Sequence, residues 1–212
     1  MIGDKVVPKP HHKKAARKIF DLIPHEAADS RLTITIAGES GSGKSEIAYE
    51  LGELFKAGDK PTLILQQDDY FFYPPKSNHQ MRLKNIKHVG LTEVNLSLLN
   101  RHLEAFKLTP HKPVEKPLVI FEEDSITRET FLPEEYEILI AEGTYTTVLS
   151  SADVRVFIDR TYEQTKAARL ERGRDTIDEF SEQILQIEHD IISKHKKMAS
   201  IVVDKNYDVE AV

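Results

Sequence analysis

The sequence predicts an α/β fold in which a largely parallel sheet carries helices on both faces. Three observations carry that expectation. Short apolar, β-branched runs alternate with longer stretches of helical periodicity, the pattern of parallel strands joined by helical crossovers. The 212 residues suffice for one sizeable domain and little more. The run Gly38-Glu39-Ser40-Gly41-Ser42-Gly43-Lys44-Ser45 fits G-x-x-x-x-G-K-[ST], the phosphate-binding loop that joins a strand to a helix.

The context of that loop agrees with it. Leu32 to Ala37 is apolar and β-branched, hence a strand. Glu46 to Lys56 follows with Ile47, Leu51, Leu54 and Phe55 at helical spacing. Gly38, Gly41 and Gly43 let the backbone turn and approach a ligand. The backbone of Glu39, Ser40 and Ser42 and the helix opening at Glu46 then offer N–H groups to an anion. Lys44 reaches terminal phosphates and the Ser45 hydroxyl suits Mg²⁺.

Residues 1–30 read as an extended start followed by a helix, and 31–212 as the main domain. Ile19, Phe20 and Ile23 form an apolar stripe, while Lys13, Lys14, Arg17 and Lys18 form a solvated face or an anion-binding arm. His11 and His12 point apart on a helix, so they are expected to be exposed and not a metal pair. Pro61 to Gln67 is a second strand, and Asp68 and Asp69 leave its carboxyl end, where ligands of parallel sheets bind. Lys76 to Gly90, with Arg82, Lys84, Lys87 and His88, reads as a long functional loop. Thr92 is expected to cap a helix over Val94 to Phe106. Leu118 to Phe121 is a strand, and Ser125 to Arg128 continues into a small hairpin or arm over the site. Tyr136 to Gly143 is a buried strand ending in Glu142, placed to hold Mg²⁺. Val154 to Asp159 is the next strand, with Asp159 a helix cap. Lys166, Arg169, Arg172 and Arg174 flank a glycine break and suggest a basic lid near 166–180. A helix from Ile177 to Lys197 and a strand from Ser200 to Val203 follow, and the tail after Asp204 carries no motif.

Composition narrows the class. The formal charge of −6 leaves no global basic footprint for nucleic acid. Without cysteine there is no disulfide, thiolate metal site or thiol nucleophile. No apolar run approaches the roughly 20 residues of a membrane span, and Met1 to Pro10 lacks a signal-peptide core. A cytoplasmic protein is expected, and self-association is left open.

The phosphate loop at 38–45, Gln67-Asp68-Asp69-Tyr70-Phe71, Glu142-Gly143 and Glu171-Arg172-Gly173-Arg174-Asp175 together resemble the uridine kinase/phosphoribulokinase family. The resemblance runs from about Arg31 to Val203 and is weakest between Lys76 and Phe131. It implies a P-loop NTPase-type three-layer sandwich with a five-stranded parallel sheet, a small hairpin arm and an Arg-rich lid. It also implies Mg·ATP as donor and a small-molecule alcohol as acceptor. Asp68 matches the family's base, with Lys44, Arg169, Arg172 and Arg174 neutralising charge, and Ser45, Asp68 and Glu142 near the Mg²⁺. Asp69, Tyr70, Arg82, Lys87, His88, Arg128 and Glu142 are the expected acceptor contacts. The family's Asp-His-Pro segment has Lys87-His88-Val89 as its nearest match, and its hairpin His is absent before Arg128. Uridine, cytidine, a sugar or an acidic alcohol therefore stay open as acceptors. A GTPase switch is the alternative, but no Asn-Lys-x-Asp segment for reading guanine is present.

Overall fold

A computed structural model of the chain describes residues 1–3, 6–23, 31–172 and 178–212, with Arg172 described by its backbone alone. In chain order the helices and strands are α1 (Pro10–Leu22), β1 (Leu32–Gly38), α2 (Lys44–Ala57), β2 (Thr62–Gln66), α3 (Pro75–Lys84) and α4 (Leu96–Leu108). They continue with β3 (Val114–Ile120), β4 (Ser125–Phe131), β5 (Ile138–Glu142), β6 (Val154–Ile158), α5 (Lys166–Arg172), α6 (Glu179–Ile192), β7 (Ile201–Val203) and β8 (Val209–Ala211).

The main sheet runs β2-β5-β1-β6-β7-β8. Its first five strands are parallel, as expected, and β8 adds a sixth, antiparallel to β7. The tail had offered no strand signal because β8 is three residues long. A tight turn creates it. The Asp204 carboxylate accepts the N–H groups of Asn206 and Asp208, both at 2.8 Å, and Tyr207 takes φ 63° between them.

Alternation along the strands builds two cores. Leu32, Ile34 and Ile36 of β1 and Ile138 and Ile140 of β5 pack with Ile19 of α1 and Ile47, Leu51 and Phe55 of α2. Leu139 and Ala141 of β5 face the other way, against Leu99, Leu103 and Phe106 of α4. Buried on both faces, these strands are continuous apolar runs, which is why their positions were readable.

Four expectations for the elements change. Lys76 to Gly90 is not a loop but α3 followed by short 3₁₀ turns at Ile86–His88 and Leu91–Glu93. Its buried side is polar, Asn78 one turn from Arg82, so apolar periodicity missed it. Thr92 lies in the second turn, and α4 is capped by Asn95, whose side chain accepts from the Leu98 N–H at 3.1 Å. Asp159 caps no helix; its carboxylate takes Lys196 Nζ at 2.7 Å. The long final helix stops at Ile192 and tightens into a 3₁₀ turn, Ser193–Met198.

The basic face of α1 is solvated, with Lys13, Lys14 and Arg17 paired to Glu50, Asp208 and Asp21. His12, expected outside, is buried, and the Gly173 to Ile177 stretch of the predicted lid lies outside the described residues.

Candidate active site

The phosphate loop leaves the carboxyl end of β1 and enters α2 at Gly43. Gly41 and Gly43 hold φ 72° and 98°, and a Cβ there would meet Arg169 Cγ at 2.6 Å or His12 Nε2 at 2.8 Å. Only glycine suits both the left-handed backbone and the close neighbours. Lys44 Nζ reaches back to the Glu39 carbonyl at 3.0 Å, across the mouth of the loop.

The loop is fastened to the elements around it. The Glu39 carboxylate accepts the Tyr162 N–H and pairs with His189 Nδ1 of α6 at 2.7 Å. Its side chain is thus committed to the scaffold, while its backbone shapes the loop. Thr165 Oγ1 donates to the Ser40 carbonyl at 2.7 Å, and Tyr207 Oη donates to the Ser42 carbonyl at 3.0 Å. Glu46 sits in the first turn of α2, where its charge complements the helix dipole, but it does not line the cavity in front of the loop.

That cavity is about 690 Å³ and brings together Lys44, Ser45, Asp68, Glu142, Thr144 and Arg169. Glu142 ends β5 in register with Ile36 and Gln66, so the sheet itself aims it at the loop. Its Oε1 accepts the Ser45 hydroxyl at 3.0 Å. Arg169, 4 % exposed, lies against Gly41 and donates to the Tyr162 carbonyl at 3.1 Å. Arg174 and the side chain of Arg172 fall outside the described residues.

Asp68 and Asp69 part company. Asp68 is exposed to the cavity. Asp69 is 1 % exposed, and its carboxylate takes Lys116 Nζ at 3.1 Å and the Val119 N–H at 2.9 Å. It docks the β3–β4 hairpin instead of contacting an acceptor. Tyr70 is also removed from the acceptor set: it is buried in the core, its hydroxyl bonded to His102 Nδ1 at 2.9 Å. Burial, then the Asp69 charge, raise its pKa, so it stays a neutral phenol.

The far wall of the cavity includes Phe71, Asn78, His79, Arg82 and Glu188. Glu93 lies directly behind it, 0 % exposed. Its carboxylate is filled by Arg82 Nε at 2.8 Å, Arg82 Nη2 at 2.7 Å, Asn78 Nδ2 at 2.8 Å and the Gly90 N–H at 3.0 Å. Arg82 Nη2 also reaches Glu188 Oε1 at 3.2 Å. Burial works against the Arg82 charge, but the Glu93 bonds and the Glu188 charge outweigh it and raise its pKa. Glu93, Asn78 and Glu188 were not anticipated; an acid between Val89 and Val94 was the one available signal. Lys87 and Arg128, anticipated as acceptor contacts, do not line the cavity. Lys87 is exposed on its 3₁₀ turn and Arg128 pairs with Glu115 on the hairpin. His88 is turned to the Asn78 carbonyl oxygen at 3.1 Å, and it too is off the cavity wall.

A phosphate loop at the edge of a parallel sheet, with a strand-end acid on its serine and an exposed acid and a buried arginine opposite, defines a P-loop phosphotransferase. The Phosphoribulokinase / Uridine kinase family matches residues 33–210, and the chain belongs to it. It is an ATP-dependent phosphotransferase acting on a hydroxyl. A uridine kinase of Leuconostoc citreum is 26 % identical over 187 residues, covering 81 % of this chain and 86 % of its own. The bifunctional alpha-galactosidase/sucrose kinase AgaSK of Mediterraneibacter gnavus is 26 % identical over 200 residues, 86 % of this chain, which spans about a fifth of that protein's length (21 %). The solved structure of a possible uridine kinase from Bacillus stearothermophilus superposes with a TM-score of 0.60 at 15 % identity, over 91 % of this chain and 96 % of that one, and shares the fold. No helix among the described residues is long and apolar enough to cross a membrane.

Proposed function

We propose that the chain transfers the γ-phosphoryl group of Mg·ATP to a hydroxyl of an uncharged, polyhydroxylated small molecule, a nucleoside or a sugar. The acceptor class rests on Arg82. Two carboxylates, Glu93 and Glu188, already neutralise it. An acidic acceptor entering there would meet Glu188, and the Arg82 guanidinium beside it is already paired. Hydrogen-bonding groups on the same wall, His79 and Gln80 among them, suit hydroxyls. The names of relatives, uridine kinase and sucrose kinase, agree with the class.

In the proposed reaction the acceptor oxygen attacks the γ-phosphorus as the bond to the ADP oxygen breaks. Asp68 accepts the hydroxyl proton. Lys44 and Arg169 oppose the negative charge spreading over the transferred group. Ser45, Glu142 and Asp68 would supply the hard oxygen donors that Mg²⁺ takes, and Ser45 Oγ and Glu142 Oε1 lie 3.0 Å apart. Bound there, the ion would neutralise phosphate charge and orient the donor.

The test is an acceptor screen read by ADP release and by detection of the phosphorylated product. Uridine, cytidine, free hexoses, glycerate and sugar phosphates form the panel. Turnover is expected with a nucleoside or a free sugar. Turnover confined to glycerate or sugar phosphates overturns the acceptor class.

A further inference from the structure

Two segments near the ends of the described chain, α1 and the β7–β8 turn, meet at the phosphate loop. His12 of α1 is 5 % exposed and Tyr207 of the β7–β8 turn 6 % exposed. His12 Nδ1 accepts the Lys9 N–H at 3.1 Å, which leaves the proton of the neutral ring on Nε2. His12 Nε2 lies 3.2 Å from Tyr207 Oη and 3.1 Å from His11 Nε2. Tyr207 Oη accepts from Arg160 Nη1 and donates to the Ser42 carbonyl at 3.0 Å. The chain of bonds thus runs from α1 through the phenol to one peptide group of the loop.

That peptide matters because it is planar and trans. The carbonyl of Ser42 and the N–H of Gly43 point in opposite directions. With the carbonyl fixed on Tyr207, the Gly43 N–H points away from the phenol, the direction an N–H offered to a phosphate at the helix start would take. A Cβ on Gly43 would meet His12 Nε2 at 2.8 Å and Tyr207 Oη at 3.0 Å, so the two side chains also press on the left-handed residue itself. Tyr207 holds its own position at a conformational cost. Its φ of 63° is unusual for a bulky residue, and the Asp204 turn enforces it. Strain kept in a buried tyrosine whose hydroxyl ends on the loop marks a constrained role for that hydroxyl.

We infer that His12 and Tyr207 are positioning residues that set the orientation of the Ser42–Gly43 peptide, and with it the affinity of the loop for the phosphates of the nucleotide. Neither touches the nucleotide's phosphates; they act through the loop backbone. The inference rests on the reading of residues 38–45 as the phosphate site.

The experiment is ADP titration by calorimetry, paired with thermal melting, on the full chain and four variants. Tyr207→Phe removes one hydroxyl and keeps the ring. His12→Leu removes the donor, and His12→Gln returns one near Nε2. Lys14→Ala loosens α1 by removing its ion pair with Asp208, 3.1 Å apart, and leaves every group of the His12–Tyr207–Ser42 chain in place. Tyr207→Phe and His12→Leu are expected to weaken ADP binding about three- to tenfold, the worth of one hydrogen bond. His12→Gln should recover part of the loss, and Lys14→Ala should bind as the parent does. Unchanged affinity in Tyr207→Phe overturns the inference. So does an equal loss in Lys14→Ala, which would assign the effect to general packing of α1. Failure of the parent chain to bind ADP would instead overturn the phosphate-site reading.

Discussion

Asp68 and Asp69 are one step apart, and the turn after β2 sends them to opposite sides. The first faces Lys44 and Arg169 across the cavity; the second is sealed between Lys116 and the hairpin backbone. Asp68→Asn is expected to lower kcat by roughly 10²–10⁴-fold, the range of general-base catalysis, with ATP affinity little changed. Asp69→Asn should leave kcat near the parent value and lower stability by about 1–3 kcal/mol, since a buried acceptor of a charged donor is weakened. Steady-state kinetics and urea unfolding on both variants check the pair; a dead but fully stable Asp69→Asn would reverse the assignment. Arg169→Ala should reduce kcat by more than it raises the KM for ATP, because the charge it opposes develops in the transition state. The position of Asp68 was legible because a parallel sheet presents ligands at its strand ends. The burial of Tyr70 was not, because a tyrosine beside an acidic pair carries no sign of which side of the sheet it enters.

At the scale of elements, α3 is the instructive case. A helix is read from apolar periodicity, and α3 has none: its buried contacts are Asn78 and Arg82 on Glu93. A helix that packs through a filled carboxylate looks like a polar loop in sequence. The same polarity obscured the acceptor wall: Arg82, expected as an acceptor contact, has Glu93 and Glu188 on either side of it. Glu93→Ala should leave Arg82 and Asn78 without their acceptor and destabilise the chain by about 3–5 kcal/mol. In a preparation kept folded by low temperature, the acceptor KM should rise more than the KM for ATP. Chemical unfolding and two-substrate kinetics measure both. A stable variant with an unchanged acceptor KM would detach α3 from the site. By contrast β1, β5 and β6 were readable to within a residue or two, because strands buried on both faces are uninterrupted apolar runs.

Across the whole molecule, the phosphate loop is held by four separate parts of the chain: α1 through His12, the α5 approach through Thr165, α6 through His189, and the final turn through Tyr207. Such convergence depends on long-range contacts, so sequence order could place the loop but not its supports. It also gives folding stability a pH dependence. Burial first, then the charges of His11, Lys9 and Arg160, lower the His12 pKa to about 4; burial, then Arg101 and Lys116, lower that of His102 to about 4. The unfolded histidines titrate near 6.5 and bind protons that the folded ones refuse. Their contribution is therefore complete above pH 6.5 and is lost as pH falls toward 4, about 1–2 kcal/mol each by pH 5. Urea midpoints should fall between pH 7.5 and 5, and less steeply in His102→Gln; a flat profile would contradict the burial of these rings. Phosphoryl transfer at the loop of residues 38–45 is measured most directly by product stoichiometry with the parent chain and Lys44→Ala. With Mg·ATP and the acceptor found by screening, the parent should form one phosphorylated acceptor per ADP, and Lys44→Ala should form neither while melting as the parent does. Undiminished product from Lys44→Ala, or ADP formed only with inorganic phosphate whatever the acceptor, would contradict it.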